Sequence, residues 1–163
     1  MVTLETVLQV IPALSVSIAA IYYALNIRNQ RETRQAQLFM QMYNSWKNDI
    51  KGLDSSKPFF PEKISGLDEY QERYASDERF RKMFDVHIGF YEGLGVLVKT
   101  GYIDIHLVAL MWAGLTRMFY ENVIEPMLEE AKEYYNMPRL WSETVYVCKE
   151  LIKYMDEHQE LKT

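Results

Sequence analysis

TVLQVIPALSVSIAAIYYALNI, residues 6–27, contains no charged side chain, and its reading decides the fold. At about 1.5 Å rise per residue, roughly 21 helical residues cover the ~30 Å hydrocarbon layer of a bilayer. Its polar members, Gln9, Ser15, Ser17 and Asn26, are mild. Pro12 falls in the first turns, where a bilayer helix tolerates it. Tyr22 and Tyr23 stand near one end, the depth at which amphipathic rings favour the membrane interface. The stretch therefore predicts a transmembrane helix, with residues 1–27 as an anchor. Two rivals are weaker. A cleaved signal peptide needs basic residues before the apolar run, and only Glu5 is charged there. A buried core helix is the closer competitor, because the serines and the glutamine dilute the run.

The flanks give an orientation. Arg28, Arg31 and Arg34 follow the segment, and no Lys or Arg precedes it. The positive-inside rule then puts the C-terminal side in the cytoplasm and Met1 outside. The arginines also lie where anionic lipid headgroups would meet them.

Beyond the anchor the chain reads as helix throughout. No Gly or Pro interrupts residues 26–51, and Leu38, Phe39, Met42, Tyr43, Trp46 and Ile50 recur at three- and four-residue steps. Residues 28–51 are thus expected to continue the anchor helix into the cytoplasm and stop near Gly52. A loop-like tract, GLDSSKPFFPEKISG (52–66), comes next, with Pro58 and Pro61 around Phe59 and Phe60. Leu67 to Tyr74 suits a short helix. Ser76 or Asp77 is a candidate N-cap for a helix to about Thr100, closed by Gly101. Asp104 caps the next helix, Pro126 should kink or restart it, and Pro138 opens a last helix. Residues 52–163 then form a cytoplasmic, antiparallel bundle of about four long helices. The expected fold is all-α, with one N-terminal transmembrane helix running into that bundle.

Composition agrees. Of 163 residues, 48% are hydrophobic, and only seven are Gly and five Pro, too few for a fold of many tight turns. A net charge of −5 argues against a nucleic-acid partner, which requires clustered cations. With Cys148 as the single cysteine, no internal disulfide can form and no cysteine zinc site exists.

Candidate site residues are few. Gly89, Gly93 and Gly95 fall within one helix, where each costs about 1 kcal/mol against Ala. Their spacing suits close helix packing. It is not a phosphate loop, since no strand precedes it and no Lys-Ser/Thr follows. Glu92 sits in the same apolar stretch and needs a partner if buried. Arg117, in the apolar run 107–119, is the candidate, as a structural lock or as the polar floor of a pocket with Tyr91 and Tyr120. Phe59, Phe60 and Trp46 are candidate partner contacts. His87, His106 and His158 show no Glu-x-x-His or His-x-x-x-His spacing, so no metal is expected. No nucleophile elbow is present either, and no cofactor is implied. Residues 121–163 hold ten acidic and five basic side chains, read as a solvated face.

The order of three stretches carries a resemblance: NIRNQRETRQAQLFMQMYNSW (26–46), FYEGLGVLVKTGYIDIHLVALMW (90–112) and MPRLWSETVYVCKELIKYM (137–155). In this order, behind an apolar N-terminal helix, the sequence resembles the DUF4760-like group of prokaryotic membrane proteins, whose function is unassigned. Phe90, Glu92, Gly95, Leu97, Gly101 and Asp104 lie in the closest stretch. The resemblance implies a membrane-tethered helical domain and transfers no catalytic residue. The leading expectation is a non-enzymatic interaction or accessory subunit of the cell membrane. It would contact lipids and a protein partner or a copy of itself. The rival is a sensor or enzyme with a pocket inside the bundle.

Overall fold

A computed structural model describes the backbone of residues 4–51, 60 and 62–158. Within these ranges it describes the side chains from residue 19 onward, residue 113 apart. The described residues are helical, without strands. The helices are α1 (Leu4–Asp49), α2 (Leu67–Ser76), α3 (Glu78–Lys99), α4 (Ile105–Phe119), α5 (Glu125–Tyr134) and α6 (Ser142–Glu157). The chain divides into two compact units, Met1–Leu38 and Phe39–Thr163.

The first unit is the body of α1. Residues 19–34 are exposed on every side, among them Ile21, Tyr22, Tyr23, Leu25 and Ile27 at 53–70%. Arg28 pairs with Glu32 one turn on, at 3.1 Å. Among the described residues no helix is long and apolar enough to cross a membrane. The side chains of residues 6–18, the larger part of the expected span, lie outside the described set.

The second unit is a helical bundle around one aromatic-rich core. Its local signals are legible. The Asp77 carboxylate accepts from the Phe80 N–H at 3.0 Å, and Asp104 accepts from His106 N–H at 2.8 Å, so α3 and α4 start at capped ends. α3 ends at Gly101, whose φ of 72° only glycine adopts without strain. The Tyr102 N–H then reaches the Leu97 carbonyl at 2.8 Å and the Gly101 N–H the Val98 carbonyl at 3.0 Å, the paired bonds of a Schellman motif. Beyond this turn α4 runs back against α3, as Phe90–Trp112 and His87–Phe119 ring contacts require.

Pro126 acts as the sequence predicts, and more specifically than a kink. Lacking an N–H, it cannot bond the Asn122 carbonyl. The chain widens into a π turn, Tyr120–Ile124, closed by the Glu125 N–H on the Tyr120 carbonyl. The orphaned Asn122 carbonyl accepts instead from Ile64 N–H at 2.9 Å, and the Asn122 side chain donates to the Phe60 carbonyl at 3.3 Å. The connection before α2 is thereby fastened to α4–α5.

Two helix starts are held by carboxylates from elsewhere in the chain. Glu130 of α5 accepts from the Leu67 N–H at 2.8 Å, at the start of α2. Glu92 of α3 accepts from the Thr144 N–H at 2.9 Å, in the first turn of α6. Helix N-termini offer unpaired N–H groups and partial positive charge, so both positions suit a carboxylate. Glu130 is thus a structural clamp within a segment expected to be a solvated acidic face. α6 starts at Ser142, four residues past Pro138. Trp141 before it takes φ 52°, held there by packing on Phe84 and Tyr70.

Candidate functional site

The core closes around α3. Tyr91 is fully buried against Phe119, and its hydroxyl lies 2.9 Å from Thr116 Oγ1. Thr116 spends its own proton on the Trp112 carbonyl at 2.8 Å, so Tyr91 is the donor. Burial pushes the Tyr91 and Cys148 pKa values up, which keeps both protonated and the thiol unreactive. His87 is buried among Trp46, Phe60 and Phe119, with Nδ1 2.7 Å from the Met83 carbonyl. A carbonyl only accepts, so Nδ1 carries the proton. Burial drives the imidazole pKa down to about 4, partly opposed by that hydrogen bond.

These facts redraw the expected polar site. Glu92 and Arg117 do not pair. Glu92 is committed to the α6 start, while Arg117 holds Glu121 at 3.3 Å and Asp156 at 2.7 Å on the other side of the unit. Tyr91 is sealed in the core, and Tyr120 borders a surface groove whose lining includes none of the other three. The Thr144 hydroxyl, fully buried beside the clamp, meets no hydrogen-bond partner in the described structure. An unpaired buried hydroxyl costs about 1–3 kcal/mol, whereas a methyl of the same shape costs nothing. Thr144→Val is therefore expected to raise stability by about 1 kcal/mol. A urea midpoint lower than that of the parent would contradict this.

The glycines separate in the same way. Gly95 meets α6 directly: a β-carbon there would overlap the Glu143 carbonyl oxygen and lie 2.7 Å from its carbon. Gly89 has nothing within 4 Å of that position, and Gly93 has only the Met42 methyl at 3.8 Å. The expected close crossing thus belongs to Gly95 alone. Phe60, expected at a partner contact, is 1% exposed and packed on His87 and Phe119, because the π turn draws its segment onto the core. Phe59 lies outside the described residues. Trp46 is half-buried, edge-on to His87 and Trp112.

The DUF4760 family pattern, described as a domain of unknown function, matches residues 12–151. The chain belongs to the DUF4760 family. No curated protein and no solved structure matches it.

The described residues of this DUF4760 chain include two surface grooves and an apolar face on the bundle. The first groove, about 430 Å³, runs between the end of α1 and α3, over Met42, Trp46, Val86 and Phe90, with Asp49 and Asp85 on its banks. The second, about 620 Å³, lies beside the π turn. Lys63, Lys149 and Lys153 alternate there with Glu121, Glu125, Asp156 and Glu157, around Tyr120. Burial, with Glu125 nearby, pushes the Tyr120 hydroxyl up to about 12, so it is a neutral donor in that wall. The face is that of α4, where Leu110, Met111 and Met118 are 40–57% exposed with Gly114 among them. Among the described residues no group of three His, Cys, Asp or Glu side chains converges to hold a metal. Of these surfaces the sequence marked only Trp46, as a partner contact, and Tyr120, as a pocket residue; Asp49, Asp85 and the lysines of α6 look like ordinary solvated charges until the helices are placed.

Proposed function

We propose that this protein is a membrane-anchored, non-enzymatic interaction or accessory subunit, with residues 6–27 in the bilayer of the cell membrane and the helical bundle on the cytoplasmic side. One observation carries the reading. Residues 19–27 are helical, exposed on every side and largely apolar, and Arg28, Arg31 and Arg34 follow directly. A helix apolar all round is at home in hydrocarbon, and water-exposed Ile21, Leu25 and Ile27 would otherwise be an aggregation liability. The sequence of 6–18 extends the same character to a full span. Tyr22 and Tyr23, followed by the arginines, form an interfacial belt and a cytoplasmic stop. The bundle supports the interaction role through the open apolar face of α4 and the α1–α3 groove.

The test is fractionation of the full-length chain. It is expected to pellet with membranes, resist carbonate and dissolve only in detergent. Val16→Asp combined with Ile21→Asp should release it, since a carboxylate near the centre of a span costs roughly 2.5–3.5 kcal/mol. Recovery of the parent chain in the supernatant of a detergent-free ultracentrifugation would overturn the reading.

A further inference from the structure

We infer that the groove between the end of α1 and α3 seats a helix of a partner protein that presents an arginine or lysine. This rests on the interaction role above and names its partner. The first observation is a cost the bundle does not use. Glycine within a helix is destabilising by about 1 kcal/mol relative to alanine. Gly95 is required by α6, but Gly89 and Gly93 are exposed, and alanine would fit at either. Gly89 lines the groove, and Gly93 lies one turn on, its β position 3.8 Å from the methyl of Met42, which also lines it; Asp85 to Gly93 spans about 12 Å at ~1.5 Å per residue. Glycines four apart on an open face let a second helix approach closely.

The second observation is charge. Asp49 on α1 and Asp85 on α3 line opposite banks of the groove. Among the described residues neither has a cation within ion-pair distance, and Asp85 accepts from the Tyr74 hydroxyl, at 3.0 and 3.2 Å. Between the banks lie Met42, Trp46 and Phe90, the thioether and aromatic surfaces that dominate protein contacts. An apolar floor between two carboxylates matches an amphipathic helix with one cationic side chain. A second copy of this chain fits less well. The guanidinium that its α4 carries, Arg117, is already shared between Glu121 and Asp156.

The experiment uses the full chain in lipid nanodiscs and a soluble 15-residue helical peptide, with leucines on one face, glutamines on the other and one central arginine. A twin peptide carries citrulline in place of the arginine. The arginine peptide is expected to bind about five- to ten-fold more tightly, as two partly exposed ion pairs allow. Asp49→Asn with Asp85→Asn should erase the difference between the twins. Gly89→Leu, at a position with open space, should abolish binding of both with helicity unchanged. Equal binding of the twins, no binding, or binding that survives Gly89→Leu would overturn the inference. So would self-association that Gly89→Leu removes, since it would assign the groove to a second copy. Carbonate fractionation of the same variants keeps the two readings apart. Failure of the peptides with membrane retention intact strikes only the groove, and release from membranes with peptide binding intact strikes only the anchor.

Discussion

Gly95→Ala is expected to destabilise the bundle by about 3 kcal/mol, at the upper end for overpacking, while Gly89→Ala and Gly93→Ala, in the same helix, stabilise it by up to ~1 kcal/mol. The asymmetry follows from what each methyl would meet. At Gly95 the neighbours are the Glu143 carbonyl oxygen and carbon, with the Glu143 β-carbon at 2.9 Å. These are backbone and near-backbone atoms in the first turn of α6, with no rotamer to yield. Relief requires α6 to move away from α3. That movement would stretch the 2.9 Å bond between Glu92 and the Thr144 N–H and the contact of Lys99 with Glu143 at 3.1 Å. The Lys99 pair is exposed and adds little. The Glu92 clamp is half-buried and satisfies a helix N-terminus that lacks a side-chain cap of its own. At Gly89 and Gly93 a methyl meets open space or one flexible Met42 terminus, and only the gain in helix propensity remains. Thermal unfolding of the three variants beside the parent measures this. A Gly95→Ala transition within about 2 °C of the Gly89→Ala transition would sink it, because about 3 kcal/mol corresponds to roughly 10 °C for a domain of this size.

The contrast among the three glycines shows what the sequence could say. It marked all three as costly and assigned them one cause, close helix packing. Only the placement of α6 separates them, and no periodicity encodes it. Local devices were legible because their chemistry is local. The Asp77 and Asp104 caps, the Gly101 closure and the disturbance at Pro126 each depend on residues within about five positions. Long-range polar partners were not. Glu92 was recognised as a carboxylate needing a partner, and the nearest charged candidate in an apolar run was Arg117. The actual partner is a backbone N–H, which carries no signature in composition. The same blindness made Glu130 look like one of a row of solvated acids, although it fastens the start of α2. Phe60 failed in the opposite sense. Flanking prolines suggest an exposed aromatic loop, but Asn122, 62 residues after Phe60, ties that segment down through the carbonyl that Pro126 frees and through its side chain.

His87 should make the bundle sensitive to mild acid, by about 3 kcal/mol between pH 6.5 and pH 4. In the folded chain burial among aromatic rings lowers its pKa to about 4 from an ordinary 6.5, the Met83 hydrogen bond only partly opposing. The sign follows from proton counting. Between these two values the unfolded chain binds a proton that the native chain refuses, so unfolding gains as the pH falls. The stabilisation is complete above pH 6.5, is lost progressively toward pH 4, and changes no further below it. The ring neighbours of the imidazole include Trp46, Phe60, Phe119 and Tyr91, apolar surroundings that favour the neutral ring. His87→Phe keeps a flat ring in the cage and removes the titration. Its unfolding free energy is expected to fall less steeply than the parent's between pH 6.5 and pH 4, with the two curves parallel above pH 7. Taking the difference between the two chains cancels the titration of the surface carboxylates that both share. Urea unfolding at half-unit pH steps supplies both curves, and identical slopes through that window would show that His87 is charged in the folded protein.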